Sequence, residues 1–220
     1  MIFDWKGSDY TPFFPNTFEI SDLGMDDDAV IEYLCASMDY FGFYSSASME
    51  RNQIRAALET VIYEGSWRSL DEPKKLRAYL HSRVKAEIEG ENIDKAVKVS
   101  YWGSIYTRKF EKGLDKITDE ELKNVMGKMG PAEIVEAIKQ HGIIVVDMSS
   151  GGKQEKLSIF LSIAKHLRRL MEQKEWLNLA LIIDEGPQYC PFKPKGIEDR
   201  TMEMISDLCA LGRSCNLSVV

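Results

Sequence analysis

Histidine and cysteine are scarce in this sequence and poorly placed to share a metal. The three histidines stand at 81, 141 and 166, the four cysteines at 35, 190, 209 and 215, and none falls into a CxxC or Cys/His spacing. No zinc set is on offer, and cysteines so used fit a reduced, cytosolic protein. Long apolar runs are missing too, so no membrane span is expected, and the N-terminus opens on acidic and aromatic residues where a signal peptide has basic ones. No targeting segment is expected from these residues, and no internal repeat or low-complexity tract is read in them. Positive charge is in deficit: 28 Lys and Arg against 35 Asp and Glu give a net charge of -7. That balance argues against a protein that coats nucleic acid with its whole surface, although a local basic channel, especially one formed by an oligomer, does not register in a sum. At 220 residues, 44% of them hydrophobic and 29% charged, the chain is long enough to bury a sizeable core as one domain with an insertion or as two small ones.

Periodicity supplies the elements. Met1 to Phe3 reads as a short strand ending in Asp4 and the turn-like "WKGSDY", and "FEISDL" as a second extended piece. Helical spacing runs from Asp26 to Met38 and again from Met49 to Tyr63 through Ile54, Ala57, Leu58, Val61 and Ile62. Ser69 with Glu72 and Thr118 with Glu121 make capping-box patterns, Pro73 suits a first turn before Leu76, Tyr79, Leu80 and Val84, and Gly130-Pro131 opens a helix to about Gln140. "GIIVVDMSS" and "LALIID" are apolar runs too short for helices and read as strands buried on both faces. Between them Leu157, Phe160, Leu161, Ala164, Leu167, Leu170 and Met171 form one helical stripe, with Lys165, Arg168 and Arg169 turned elsewhere. A helix from Glu198 to Leu211 and the strand "LSVV" follow. Strand, helix, strand, helix, strand predicts right-handed crossovers and an α/β fold: a parallel sheet with helices on both faces and a mainly helical insertion. The expected divisions are 1–44 and 141–220 as two parts of the sheet core and 45–140 as the insertion.

Three of these strands end in acid, at Asp4, Asp147 and the adjacent pair Asp184 and Glu185. In open parallel sheets the ligand crevice lies outside the carboxyl ends of the strands. Neighbouring residues on an extended chain point in opposite directions. One carboxylate of the pair is then free to serve a magnesium ion while the other orients and deprotonates a water, as phosphohydrolysis requires. From four apolar residues and two acids alone, a turn that carries acids for solubility is the stronger reading, and context has to move the balance.

Taken in order, "IFDWKGSDY", "GIIVVDMSS", "LALIIDE" and "LGRSCNLSVV" resemble the core strands, Walker B strand and sensor strand of the HerA/FtsK branch of P-loop NTPases, more closely the archaeal HerA helicase and VirB4-like conjugation ATPases. The helical middle, including "SIYTRKFEKGL", is similar to that family's insertion. The resemblance implies a RecA-like core. It implies ATP and Mg2+ as cofactors, Asp184 supporting the metal and Asp4 near the phosphates, and Glu185 as catalytic base. It implies that Arg213 approaches nucleotide across a subunit boundary. It further implies a homo-hexameric ring acting on double-stranded DNA in the cytoplasm, some relatives working with a nuclease partner and some in a secretion or conjugation apparatus. Gly186 and Pro187 depart from the small and polar residues that commonly follow the acid pair in that family.

One family feature is missing outright. A phosphate loop needs G-x-x-x-x-G-K-[ST], and neither "MGKMG" nor "SGGKQEK" supplies the leading Gly or the following hydroxyl, so Lys128 and Lys153 read as exposed loop or helix-start residues. The implied place of that loop is upstream of Ile2, which predicts that the strand of Asp184 lacks a neighbour and that this chain alone is inactive. Two other readings stand beside the ATPase. One is an interaction module that docks a partner on its helical middle. The other is a magnesium-dependent hydrolase with Asp4 or Asp147 as nucleophile, although neither "FDWKG" nor "VDMSS" has a second Asp two residues on. The basic face of "HLRRLMEQK" suits a solvated helix surface better than a DNA contact. The ATPase reading requires Asp184 and Glu185 to share a sheet end with Asp4.

Overall fold

The computed structural model describes residues 1–40, 49–90 and 99–220. It divides into two compact units, one of residues 1–29 and 127–220, the other of residues 30–126. Of the boundaries expected from the sequence, 44/45 lies outside the described residues, and 140/141 falls within a helix, Pro131–His141, that belongs to the first unit.

The first unit is built on five parallel strands: β1 (Ile2–Asp4), β2 (Thr17–Glu19), β3 (Val145–Asp147), β4 (Leu179–Ile183) and β5 (Leu217–Val219). Their spatial order is β2-β3-β1-β4-β5. The α/β class and parallel sheet with a helical insertion are thus present, consistent with a RecA-like arrangement. The strands are short because each β-branched or apolar run is cut by an acid or a turn, so β3 keeps only three residues of "GIIVVDMSS" and "FEISDL" turns into a 3₁₀ segment at Ile20–Asp22. The expectation that the Asp184 strand lacks a neighbour is corrected. β4 pairs with β1 on one side (Ile2 with Ile182) and with β5 on the other (Leu179 with Leu217), because "LSVV" docks directly on it. Among the described residues the open edges fall on β2 and β5.

Helix α6 (Pro131–His141) packs on α7 (Lys153–Glu172), which packs on α9 (Ile197–Gly212); a four-residue helix, α8 (Gly186–Tyr189), follows β4. The α7 stripe read from the sequence is the buried one: Leu157, Phe160, Leu161, Ala164 and Leu167 are at most 2% exposed. Phe160 meets Phe3 of β1 edge-to-face at 5.2 Å, which seats the helix on the sheet centre. The reading of "LALIID" as a strand buried on both faces is corrected: on the opposite face of β4 and β5, Ala180 and Ser218 are exposed.

The second unit is helical: the greater part of α1 (Asp27–Tyr40), then α2 (Met49–Tyr63), α3 (Pro73–Gly90), α4 (Val99–Leu114) and α5 (Asp119–Val125). Ile54, Leu58, Val61 and Ile62 of α2 and Leu76, Leu80 and Val84 of α3 are buried, as their spacing predicts. The guanidinium of Arg77 donates to the carbonyls of Leu114 and Ile117 and to Asp119, tying the end of α4 to the start of α5. Thr118 and Glu121 form the expected capping box. Ser69 does not cap α3: its hydroxyl donates to the Ser66 carbonyl at 2.8 Å, inside a 3₁₀ turn that ends before the helix begins.

Candidate functional site

The loop after β1 folds around its own last residue. The Asp4 side chain is fully buried and accepts three backbone N–H bonds, from Gly7 at 2.9 Å, Tyr10 at 2.9 Å and Thr11 at 2.8 Å. Burial pushes the carboxyl up, but the N–H groups of Thr11, Tyr10 and Gly7 together outweigh it and hold Asp4 below the usual carboxylate range. Gly7 makes the turn possible. Its φ is +71°, and a Cβ there would meet Asp147 Oδ1 at 2.6 Å. From the first turn of α7, Lys156 steadies the same loop: its ammonium donates to the Trp5 carbonyl at 3.0 Å and lies 4.6 Å from the Trp5 ring centre. Burial lowers the Lys156 pKa, opposed by the charges of Asp147 and Glu155. On its other side Trp5 meets Tyr189 edge-to-face at 5.1 Å.

At the end of β4 the backbone continues one step along β1, Asp184 N–H donating to the Phe3 carbonyl at 3.1 Å. Glu185 then adopts φ +55° and ψ +46°, a left-handed conformation unusual for a glutamate, and the chain turns into α8 with Pro187 in its first turn. Side-chain oxygens of Asp4, Asp9 and Asp184 lie within 4.8 Å of one another. Asp184 Oδ2 is buried with no hydrogen-bond partner, and Glu185 is ion-paired with Lys6. Beneath them the Tyr189 hydroxyl donates to Met148 Sδ at 3.3 Å; burial first, then the charges of Asp184 and Asp4, raises the Tyr189 pKa far above that of a free phenol.

The fold therefore brings together Asp4, Asp184 and Glu185, and adds two residues that the sequence reading did not single out, Asp9 and Lys6. Their only signal was a position inside "WKGSDY", right after a strand that ends in Asp. Asp147 stands beside Asp4 in the strand register, and its carboxylate accepts from the Ser149 N–H at 2.8 Å. Arg213 is not brought to the acids. It is exposed and precedes β5, whose first residue pairs with the first residue of β4, so it lies at the amino-terminal end of the sheet. Lys128 is exposed, and Lys153 begins α7 and pairs with Glu198 at 2.5 Å. On the basic face of α7 two of the cations are paired within the chain, Arg168 with Glu172 at 3.1 Å and Asp207 at 2.6 Å, and Lys165 with Asp28 at 3.4 Å, while Arg169 is exposed.

Chemically, this corner offers hard oxygen donors with one buried lone-pair set unfilled, the donor type that Mg2+ takes. Among the described residues no other group of three His, Cys, Asp or Glu side chains converges this closely, and no helix is long and apolar enough to cross a membrane. No protein-family model, curated protein or solved structure matches the chain.

Proposed function

We propose that the sheet unit is the acid-bearing part of a nucleotide-hydrolysing motor of the HerA/FtsK kind, an ATP-driven translocase on double-stranded DNA. The observation that carries this reading is the convergence of Asp4, Asp9 and Asp184 within 4.8 Å at the tips of two adjacent central strands, with Glu185 next in the chain. Asp184 is the residue to hold Mg2+, with Asp9 facing it; the ion supplies neutralisation of the charge that builds on the phosphate oxygens. Glu185 is the base. Its left-handed backbone sets it apart from Asp184, so the two carboxylates serve separate partners. Asp4 is the scaffold acid of this corner. With three N–H bonds on its oxygens it is a poor nucleophile, which counts against the reading in which it attacks a phosphomonoester.

A triphosphate also needs a phosphate-gripping loop, which this sequence does not contain, and a cation at the γ-phosphate. In this reading neither comes from the same copy of this chain: the loop is supplied by other polypeptide, and the cation by Arg213 of a neighbouring subunit in a hexameric ring. The position of Arg213 at the far end of its own sheet fits a role in trans rather than in cis. A cytoplasmic setting belongs to the same proposal, as do a nuclease partner or a secretion apparatus.

The test is ATP hydrolysis by the complete gene product with and without duplex DNA. Glu185→Gln is expected to lower DNA-stimulated turnover by about 10²–10⁴-fold, the usual worth of a general base. The 220-residue chain by itself is expected to bind ATP poorly. Tight ATP binding by this chain in calorimetry, abolished by Glu185→Gln, would overturn the assignment of roles.

A further inference from the structure

Lys6 stands two residues beyond Asp4, in the loop that Asp4 organises. Its ammonium is ion-paired with Glu185 and also feels the charges of Asp9 and Asp184. The Lys6 side chain is 55% exposed and that of Glu185 31%, so solvent screens the pair and holds it weakly. Asp184 Oδ2 meanwhile stays buried without a partner. The lysine therefore offsets the charge of the corner from its rim and leaves the inner oxygen open.

We propose that Lys6 is a resident counter-cation of this corner: it holds Glu185, and a divalent cation seated at Asp184 and Asp9 displaces it and frees Glu185. The proposal rests on the reading of Asp184 as a metal ligand given above. Its physics is repulsion between one tethered positive charge and a mobile double one brought into the same acid corner, where Asp9 and Asp184, which draw on Lys6 from a distance, hold the ion directly. Among acids only a few ångströms apart, an ion of twice the charge gains more from each of them than the ammonium does, while the ammonium gives up only a solvated pair. Glu185 does not need to refold to be released. Its backbone is fixed by the turn into α8, so side-chain rotation alone redirects the carboxylate. Cation binding and base release are thus coupled, and coupling is reciprocal: whatever weakens the Lys6 contact strengthens the cation.

The experiment is a Mn2+ titration followed by electron paramagnetic resonance, at low ionic strength, on the 220-residue chain and four variants. Lys6→Met is expected to bind Mn2+ about three- to fivefold more tightly than the parent, the scale of an exposed ion pair. Lys6→Arg keeps the charge and is expected to match the parent. Lys153→Met, at the same end of the sheet but paired with Glu198, controls for overall charge and is expected to change nothing. Asp184→Asn is expected to abolish binding. If Lys6→Met matches the parent while Asp184→Asn loses the ion, the metal reading survives and the role of Lys6 is overturned. Equal tightening by Lys153→Met overturns it too, as an effect of bulk charge. No Mn2+ binding by the parent, or binding indifferent to Asp184→Asn, removes the metal reading and the Lys6 role with it.

Discussion

Asp4 takes three N–H bonds from a loop of only seven residues, so its carboxylate organises the backbone on which Lys6 and Asp9 are carried. Replacing it with Ala leaves three inward-facing N–H groups without an acceptor, at a cost of about 2–4 kcal/mol. Asp4→Asn is expected to be milder, because one carbonyl oxygen still accepts. The pH dependence follows from the direction of the shift. A carboxyl whose folded pKa lies below its unfolded value contributes stability above the unfolded value, about 3.9, and loses it as the pH falls through the lower folded value. Urea midpoints measured from pH 6 down to pH 2 are therefore expected to fall more steeply for the parent than for Asp4→Asn, with the two curves converging at the acid end. Parallel curves would mean that the three bonds do not favour the charged form. That Asp4 ends a strand was legible from "IFD" followed by a turn. What the carboxylate does there was not, because its donors are fixed by the path of the loop and no residue pattern encodes that path.

At the scale of elements, the turn from β4 into α8 sets local stability against function. A glutamate in the left-handed region costs on the order of 1 kcal/mol relative to a residue free to adopt it. Glu185→Gly removes that cost, partly offset by the greater freedom of glycine in the unfolded chain. The expected outcome is a melting temperature unchanged or higher by about 2–4 °C, as roughly 1 kcal/mol gives in a chain of this size, together with loss of the Lys6 contact and, under the proposed function, of ATP hydrolysis. A clear drop in melting temperature would mean that the Glu185 carboxylate, and not the backbone, dominates at this position. Most elements themselves were readable, since the α7 stripe, the α2 and α3 faces and the Thr118 cap all follow spacing. The Ser69 cap misled because its hydroxyl had a nearer acceptor in the preceding turn. The adjacency of β1 and β4 was out of reach of local pattern altogether, since 174 residues separate Asp4 from Leu179, the first residue of β4, and only the sheet order brings their tips together.

At the scale of the whole molecule, the helical unit is an insertion in the sequence of the sheet unit, between residues 29 and 127. The Gly24 N–H donates to the Met129 carbonyl at 2.8 Å, and the Met129 N–H to the Asp22 carbonyl at 3.0 Å, so the outgoing and returning chains run side by side. Their approach is so close that a Cβ on Gly127 would stand 2.1 Å from the Leu23 carbonyl oxygen. Backbone on both sides leaves little room to yield, so Gly127→Ala is expected to lower stability by about 1–3 kcal/mol, as overpacking does. The same closeness makes the insertion removable. Joining residues 1–29 to residues 127–220 through about six Gly and Ser residues gives a linker that reaches about 20 Å, and it leaves all five strands and helices α6 to α9 in place. The shortened chain is expected to melt cooperatively and to keep the Mn2+ affinity of the parent, because Asp4, Asp9, Asp184 and Glu185 all belong to the retained unit. A molten product, with helical far-ultraviolet signal but no cooperative transition, would mean that the sheet unit depends on the insertion for its core, and that the two were shaped as one folding unit rather than as a platform with an appended helical domain.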